Sequence, residues 1–284
     1  MSNFKKSLEE LNMMDSFLFE GATERPENAE YISKVIIKRV TGHLVENLHV
    51  ETEKALKGIS LNNRGIRMDI YASEKENART VRLYDVEPNN YKEEDIPHRS
   101  RFYQSLIDTK LIPTNTPFIH LPDSISIWIL PPEHLCSGFD PFGDDRMVYT
   151  VKNYVAENTH IEYNDGVTKF FLYTKGTKGG SKELKDLLTF MENTTQNNAV
   201  DEELLKIQEI VDQIKADTDV KERYMTLQDV IDYEKRDSFN EGVIQGTIST
   251  CKSFALNKKE IQQRIKNQFE LTDEKAEEYI NQYW

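Results

Sequence analysis

Apolar and polar positions change period several times along the chain, and each change marks an element. Ala29, Ile32, Val35 and Ile36 recur at helical spacing, which predicts a helix over 27–39. Gly42 sits at a turn, and a mixed stretch, 44–56, follows it. Ile66, Met68 and Ile70 then alternate with Arg67, Asp69 and Tyr71, the period of two that a strand with one buried face requires. A charged turn over 74–79 leads to a β-rich run, 81–87, which Pro88 stops because proline has no N–H for the ladder. The two runs read as a hairpin. Helical spacing returns over 93–110, with Tyr103, Leu106 and Ile107 on the core side. Four short β-rich pieces follow at 117–120, 124–130, 147–156 and 168–173, and Gly176, Gly179 and Gly180 mark a loop.

From Ser181 onward the pattern is helical, apart from an asparagine-rich turn at 196–198. Gly242 and Gly246 interrupt one helix, each costing about 1 kcal/mol against alanine. Ile261, Ile265 and Phe269 form one stripe, and Thr272 can cap a second short helix carrying Ala276 and Ile280. The predicted class is therefore α+β up to about residue 195, then all-helical. Three segments are expected: 1–195, an acidic helical region at 196–256, and a helical hairpin at 257–284.

Composition narrows the function classes. The 284 residues are 38% hydrophobic and 30% charged, as in a soluble globular protein. No run approaches the roughly 18 apolar residues of a membrane span, and residues 1–18 lack the apolar stretch of a secretory signal. Cys136 and Cys251 form no CxxC pattern, which points to reduced thiols in a cytoplasmic protein. A net charge of −13 disfavours a broad polyanion-binding surface. Residues 201–241 hold thirteen acids against six bases, so over half the imbalance lies there and a local basic cleft elsewhere is allowed.

The candidate chemistry lies in residues 64–90. Asp69 is mid-strand, and Asp85 and Glu87 share a face as i and i+2, joined by Asn89 if the strand continues past Pro88. Paired strands lie about 4.8 Å apart, so Asp69 can approach Glu87 across the hairpin. Two carboxylates suit Mg²⁺, which takes one or two of them with waters and a substrate phosphate. From spacing alone the commoner outcome is that these acids are simply the solvent face of a two-stranded ribbon, since acids on a polar strand face are frequent. Arg99, Arg101 and Lys92 offer phosphate contacts, or ion pairs with Glu93, Glu94 and Asp95. Arg64 and Arg67 flank Asp69. His134 and Cys136 lack partners, the three loop glycines lack a nucleotide-loop context, and Asp140, Asp144 and Asp145 lack EF-hand spacing.

Asp69 in one strand and Glu-x-Asn at 87–89 after the next resemble the core of the PD-(D/E)XK nucleases. The chain is more closely similar to the recombination-promoting nuclease and transposase family of that superfamily. The likeness rests on Phe17-Leu18-Phe19, on Arg64-Gly65-Ile66-Arg67-Met68-Asp69-Ile70 and on Tyr84-Asp85-Val86-Glu87. It extends through Arg99-Ser100-Arg101-Phe102-Tyr103 with Ile107-Asp108, Asn164-Asp165-Gly166 ahead of Phe170-Phe171-Leu172, Lys175-Gly176, and the glycine-bearing helix at Glu241-Gly242 and Gly246. Together these cover most of residues 12–255.

The resemblance implies a restriction-endonuclease-like α/β/α core around a short mixed sheet, and Mg²⁺-dependent cleavage of DNA in recombination, with Mn²⁺ able to substitute. It makes Asp69 and Glu87 metal ligands and catalytic residues, with Asn89 beside them. The family often carries an acid in its first helical region, and of Asp15, Glu20 and Glu30, Asp15 matches best as a third acid. Asn89 stands where the superfamily places a lysine and this family often a glutamine. An amide can hold a water but supplies no charge, and losing one transition-state donor costs ~10²–10³ in rate. Two readings follow: a Mg²⁺-dependent DNA endonuclease weakened at Asn89, or a catalytically inactive nuclease-fold protein acting through protein–protein contacts. DNA and a second copy of the chain, through the C-terminal helices, are the expected partners; a membrane is not.

Overall fold

A computed structural model of the protein describes residues 6–58, 64–77, 79–88, 95–111, 115–132 and 140–284. Asn89, Lys92, His134 and Cys136 lie outside them. The chain divides into two compact units, Met1–Val220 and Lys221–Trp284.

The first unit is built on a six-stranded mixed sheet. Its strands are β1 (Leu48–Leu56), β2 (Ile66–Glu76), β3 (Arg79–Pro88), β4 (Asp123–Leu130), β5 (Val148–Val151) and β8 (Val167–Tyr173), in the order β1-β2-β3-β4-β8-β5. β6 (Tyr154–Val155) and β7 (Asn158–Glu162) form a separate antiparallel pair. The first three strands form an antiparallel meander, whereas β3 and β4 run parallel. A parallel pair needs a crossover, and α3 (Ile96–Asp108) lies in the connection. Asp95 caps that helix by accepting from the His98 N–H at 3.1 Å.

One sheet face carries Leu83, Trp128, Leu130, Phe171 and Tyr173, which pack against Ile96, Tyr103, Leu106 and Ile107 of α3. On the other, Ile70, Val86, Ile127 and Ile129 are fully buried. α2 (Pro26–Thr41) packs against β1 and β2 and against α4 (Lys182–Glu192) and α5 (Glu202–Ala216). α1 (Ser16–Thr23) packs on α2 and α5.

Several predicted boundaries move. The mixed stretch at 44–56 contains β1, whose alternation His49, Glu51 and Lys54 conceal because an outer strand can keep charges in water. Residues 117–120 form a short 3₁₀ turn (Phe118–His120) with Phe118 and Ile119 exposed. The expected strand at 147–156 breaks into β5 and β6. The boundary expected near 195 falls at Val220, because α5 buries Leu204, Ile207 and Val211 within the first unit. Polar ties reinforce it: Arg39 of α2 pairs with Asp201 at 2.7 Å and Glu203 at 3.0 Å, and the Lys215 ammonium donates to the Glu9 and Leu11 carbonyls.

In the second unit, Ile244, Ile248 and Cys251 of α6 (Thr218–Ser253) form one apolar cluster with Ile261, Ile265, Ala276 and Ile280. The last four belong to α7 (Lys258–Phe269) and α8 (Asp273–Tyr283). The hairpin expected at 257–284 is therefore sealed onto α6. Asn257 and Glu260 form a capping box on α7, and Thr272 caps α8. α6 runs unbroken through Gly242 and Gly246. Among the described residues, no helix is long and apolar enough to cross a membrane.

Candidate metal centre

The hairpin register pairs Ile70 with Val86 and Tyr71 with Asp85, so the next step sets Asp69 opposite Glu87. The Asp69 backbone N–H donates to Glu87 Oε1 at 3.2 Å, drawing that carboxylate toward β2. The parallel pairing extends these rows across the sheet: Asp85 neighbours Ser126, and Glu87 neighbours Trp128. Side chains of paired residues share a face, so the acids stand on the side that α3 covers. Trp128 is fully buried there and meets the Tyr103 ring edge-on at 5.3 Å.

Arg99 supplies the positive charge. Its guanidinium lies 5.2 Å from the centroids of both Tyr103 and Trp128, donates to the Tyr103 hydroxyl at 2.9 Å, and comes within 3.9 Å of Glu87. A cleft of about 700 Å³ opens over these groups, its lining including Glu20, Arg67, Asp69, Glu87, His98 and Arg99.

Two acids join from other elements. Glu20 of α1 pairs with Arg67 at 3.2 Å, and Arg67 also pairs with Glu53 of β1. Glu53 has a φ of +53° mid-strand, and the ladder steps past it from Thr52–Ile70 to Lys54–Met68. A left-handed backbone costs a non-glycine residue about 1–2 kcal/mol. The continuous β1–β2 register sets Glu53 opposite Asp69, with its carboxylate beside Arg67 and in electrostatic reach of Asp69.

These surroundings shift three carboxyls upward. Burial, then repulsion from Glu53 and Glu20, pushes Asp69 up to about 7, with Arg99 and Arg67 opposing. Complete burial pushes Asp85 up to about 7. Glu87 rises well above the usual carboxylate range through burial first, then the charges of Asp85 and Asp69. The Asp85 carboxylate, the Ser126 hydroxyl and the Trp128 indole N–H are all buried without a hydrogen-bond partner.

Mutually repelling carboxylates that line an open cleft fit a divalent cation that needs only one or two protein ligands, as Mg²⁺ does. They do not fit a zinc-type cage: among the described residues, no three His, Cys, Asp or Glu side chains are grouped to hold a metal.

The sequence candidates divide accordingly. Asp69, Glu87 and Arg99 come together. Asp15 stands apart, because as the residue before α1 its carboxylate is taken by the Lys6 ammonium at 3.0 Å and the Asn12 N–H at 2.9 Å. Glu20 is the acid of the first helix that reaches the cleft, while Glu30 pairs with Lys34 on α2. Arg101 lies on the other side of α3, since two helical steps rotate a side chain by about 200°. Asn89 and Lys92 fall outside the described residues. Glu53 and Trp128 were not anticipated; the only trace of Glu53 in the sequence is its place in a stretch of alternating charge.

No family model matches the chain, and neither a curated protein nor a solved structure does. The functional reading therefore stands on the residues themselves.

Proposed function

We propose that the protein is a divalent-metal-dependent nuclease that hydrolyses DNA phosphodiester bonds, with Mg²⁺ or Mn²⁺ held by Asp69 and Glu87. One observation carries the reading: half-buried Asp69 and buried Glu87, on adjacent strands and repelling each other, meet an arginine in an open cleft. The motif likeness described above supports it.

When bound, the ion supplies Lewis acidity toward a phosphoryl oxygen and toward water. Asp69 and Glu87 act as carboxylates, because a cation beside them lowers the pKa values that burial raises. Arg99, braced on two aromatic rings, is the group that meets a phosphate oxygen, and its fork can bridge that oxygen and Glu87. Glu20 and Glu53 hold Arg67 at the opposite wall. Arg64, Arg67 and Arg99 line the cleft and offer charge that offsets the developing phosphorane.

Plasmid cleavage with Mg²⁺ or Mn²⁺, run beside Asp69→Asn, tests this. Nicking by the wild type that falls at least ~100-fold in the variant is expected. Wild-type protein that neither cuts single- or double-stranded DNA nor binds Mn²⁺ in calorimetry sinks the proposal. An inactive, self-associating protein is the rival, and one observation favours it: Met225, Tyr233 and Phe239 stand exposed along α6. Sedimentation at rising concentration tests for it, and a monomer throughout rules it out.

A further inference from the structure

A second cleft, of about 480 Å³, lies on the other side of α3. Its lining includes Ser100, Arg101, Lys152, Asn153, Lys169 and, as counter-charges, Asp108 and Asp165. The sheet register explains why Lys169 is there: Asp85 pairs with Ser126 and Ser126 with Lys169, so the lysine rises from the same sheet face as the acids, two strands away. It is half-buried, and its ammonium has one polar contact, the Ser100 hydroxyl at 3.2 Å. Burial lowers its pKa and Arg101 lowers it further, so the two cations feel each other directly.

Neither cation has a carboxylate within ion-pair distance among the described residues. Asp95 attracts Arg101 but is itself taken by His98, and Asp108 and Asp165 are engaged by neutral donors. Asp108 accepts from Gln104 at 2.9 Å, and Asp165 accepts from Asn153 at 2.7 Å and from the Val167 N–H at 3.1 Å. Lys152 pairs with Glu162 at 2.8 Å and contributes only at the rim. A half-buried lysine beside a second cation, with no carboxylate at ion-pair distance among the described residues, is unfavourable until an anion bridges them. A phosphate suits both, as a point-charge partner for the ammonium and a bidentate one for the guanidinium.

We infer that this cleft is a second phosphate-binding site, built on Lys169 and Arg101, which takes a backbone phosphate of the polynucleotide at the Asp69–Glu87 centre. The polynucleotide part rests on the reading proposed above; the phosphate site does not. A helix with its side chains is about 10–12 Å across. Strand phosphates advance about 3.4 Å per nucleotide along a duplex. A strand crossing α3 can therefore touch Arg99 on one side and Arg101 on the other within a few nucleotides.

The test compares wild type, Arg101→Gln, Lys169→Gln and Lys169→Arg, each full-length and checked by circular dichroism. Binding of fluorescein-labelled single- and double-stranded DNA is followed in EDTA across a salt series, so no cleavage is needed. Each glutamine variant should bind ~3–10-fold more weakly, with a salt slope smaller by about 0.7–0.9, and Lys169→Arg should keep wild-type affinity. Should Lys169→Gln fail to fold, Arg101→Gln, at an exposed position, carries the test. In a parallel arm, inorganic phosphate is titrated against thermal stability. Protection of the wild type but not of the glutamine variants, with DNA affinity unchanged, keeps the phosphate site and overturns the backbone assignment. Unchanged DNA affinity and slope together with no variant-dependent phosphate effect overturns the inference altogether. A wild type that cannot cut DNA yet loses affinity in Arg101→Gln sinks the nuclease reading and leaves this site standing.

Discussion

Replacing Asp69 by asparagine should stabilise the metal-free protein near neutral and alkaline pH, and the gain should disappear in acid. The carboxyl titrates at about 7 in the folded chain against 3.8 for the free group. Folded protein therefore holds this proton more tightly than unfolded chain does, and stability falls as pH rises between those two values. Above about pH 7 the penalty is complete and constant; below about pH 4 both states are protonated and it is absent. At about 1.36 kcal/mol per unit, the ceiling is about 4 kcal/mol. Asp85 and Glu87 share the same repulsion and the site can relax, so a gain of roughly 1–3 kcal/mol is expected from the near-isosteric amide. That corresponds to several degrees in Tm for a unit of this size. Urea unfolding in EDTA, followed by circular dichroism across the pH range, measures it. A variant less stable than wild type at about pH 8, or a difference that does not change with pH, would refute the reasoning.

Other substitutions should move in different directions. Arg99→Gln removes the nearest cation from buried Glu87 and the stacking on two rings, so it should destabilise by about 2–3 kcal/mol in the same urea series, opposite in sign to Asp69→Asn. Gly176→Ala would bring a Cβ within 2.3 Å of the Met147 nitrogen and 2.4 Å of the Arg146 carbonyl carbon. Both are backbone atoms that cannot step aside, so a loss of about 2 kcal/mol or more, read as a lowered Tm, is expected. Asn257→Ala leaves the first turn of α7 without its capping box and should cost about 1 kcal/mol, visible as faster amide exchange at Glu260.

Much of the local architecture was legible in the sequence, because local periodicity carries it. The helix around Ile32 and Ile36, the hairpin from Ile66 to Pro88 and the paired helices after Asn257 follow from side-chain period and turn chemistry alone. The approach of Asp69 to Glu87 was legible for the same reason: the two are joined by one turn, and hairpin register is a short-range property. Periodicity states that a face is buried, not what buries it. Only the tertiary structure chose Glu20 over Asp15, brought in Glu53 by laying β1 beside β2, and floored the site with Trp128 from a strand reached by a crossover. It likewise divided Arg99 from Arg101 by giving the two sides of α3 different neighbours, one acidic and one containing Lys169. Those outcomes depend on long-range strand order and on which helix covers which face, and neither leaves a local trace in the order of residues.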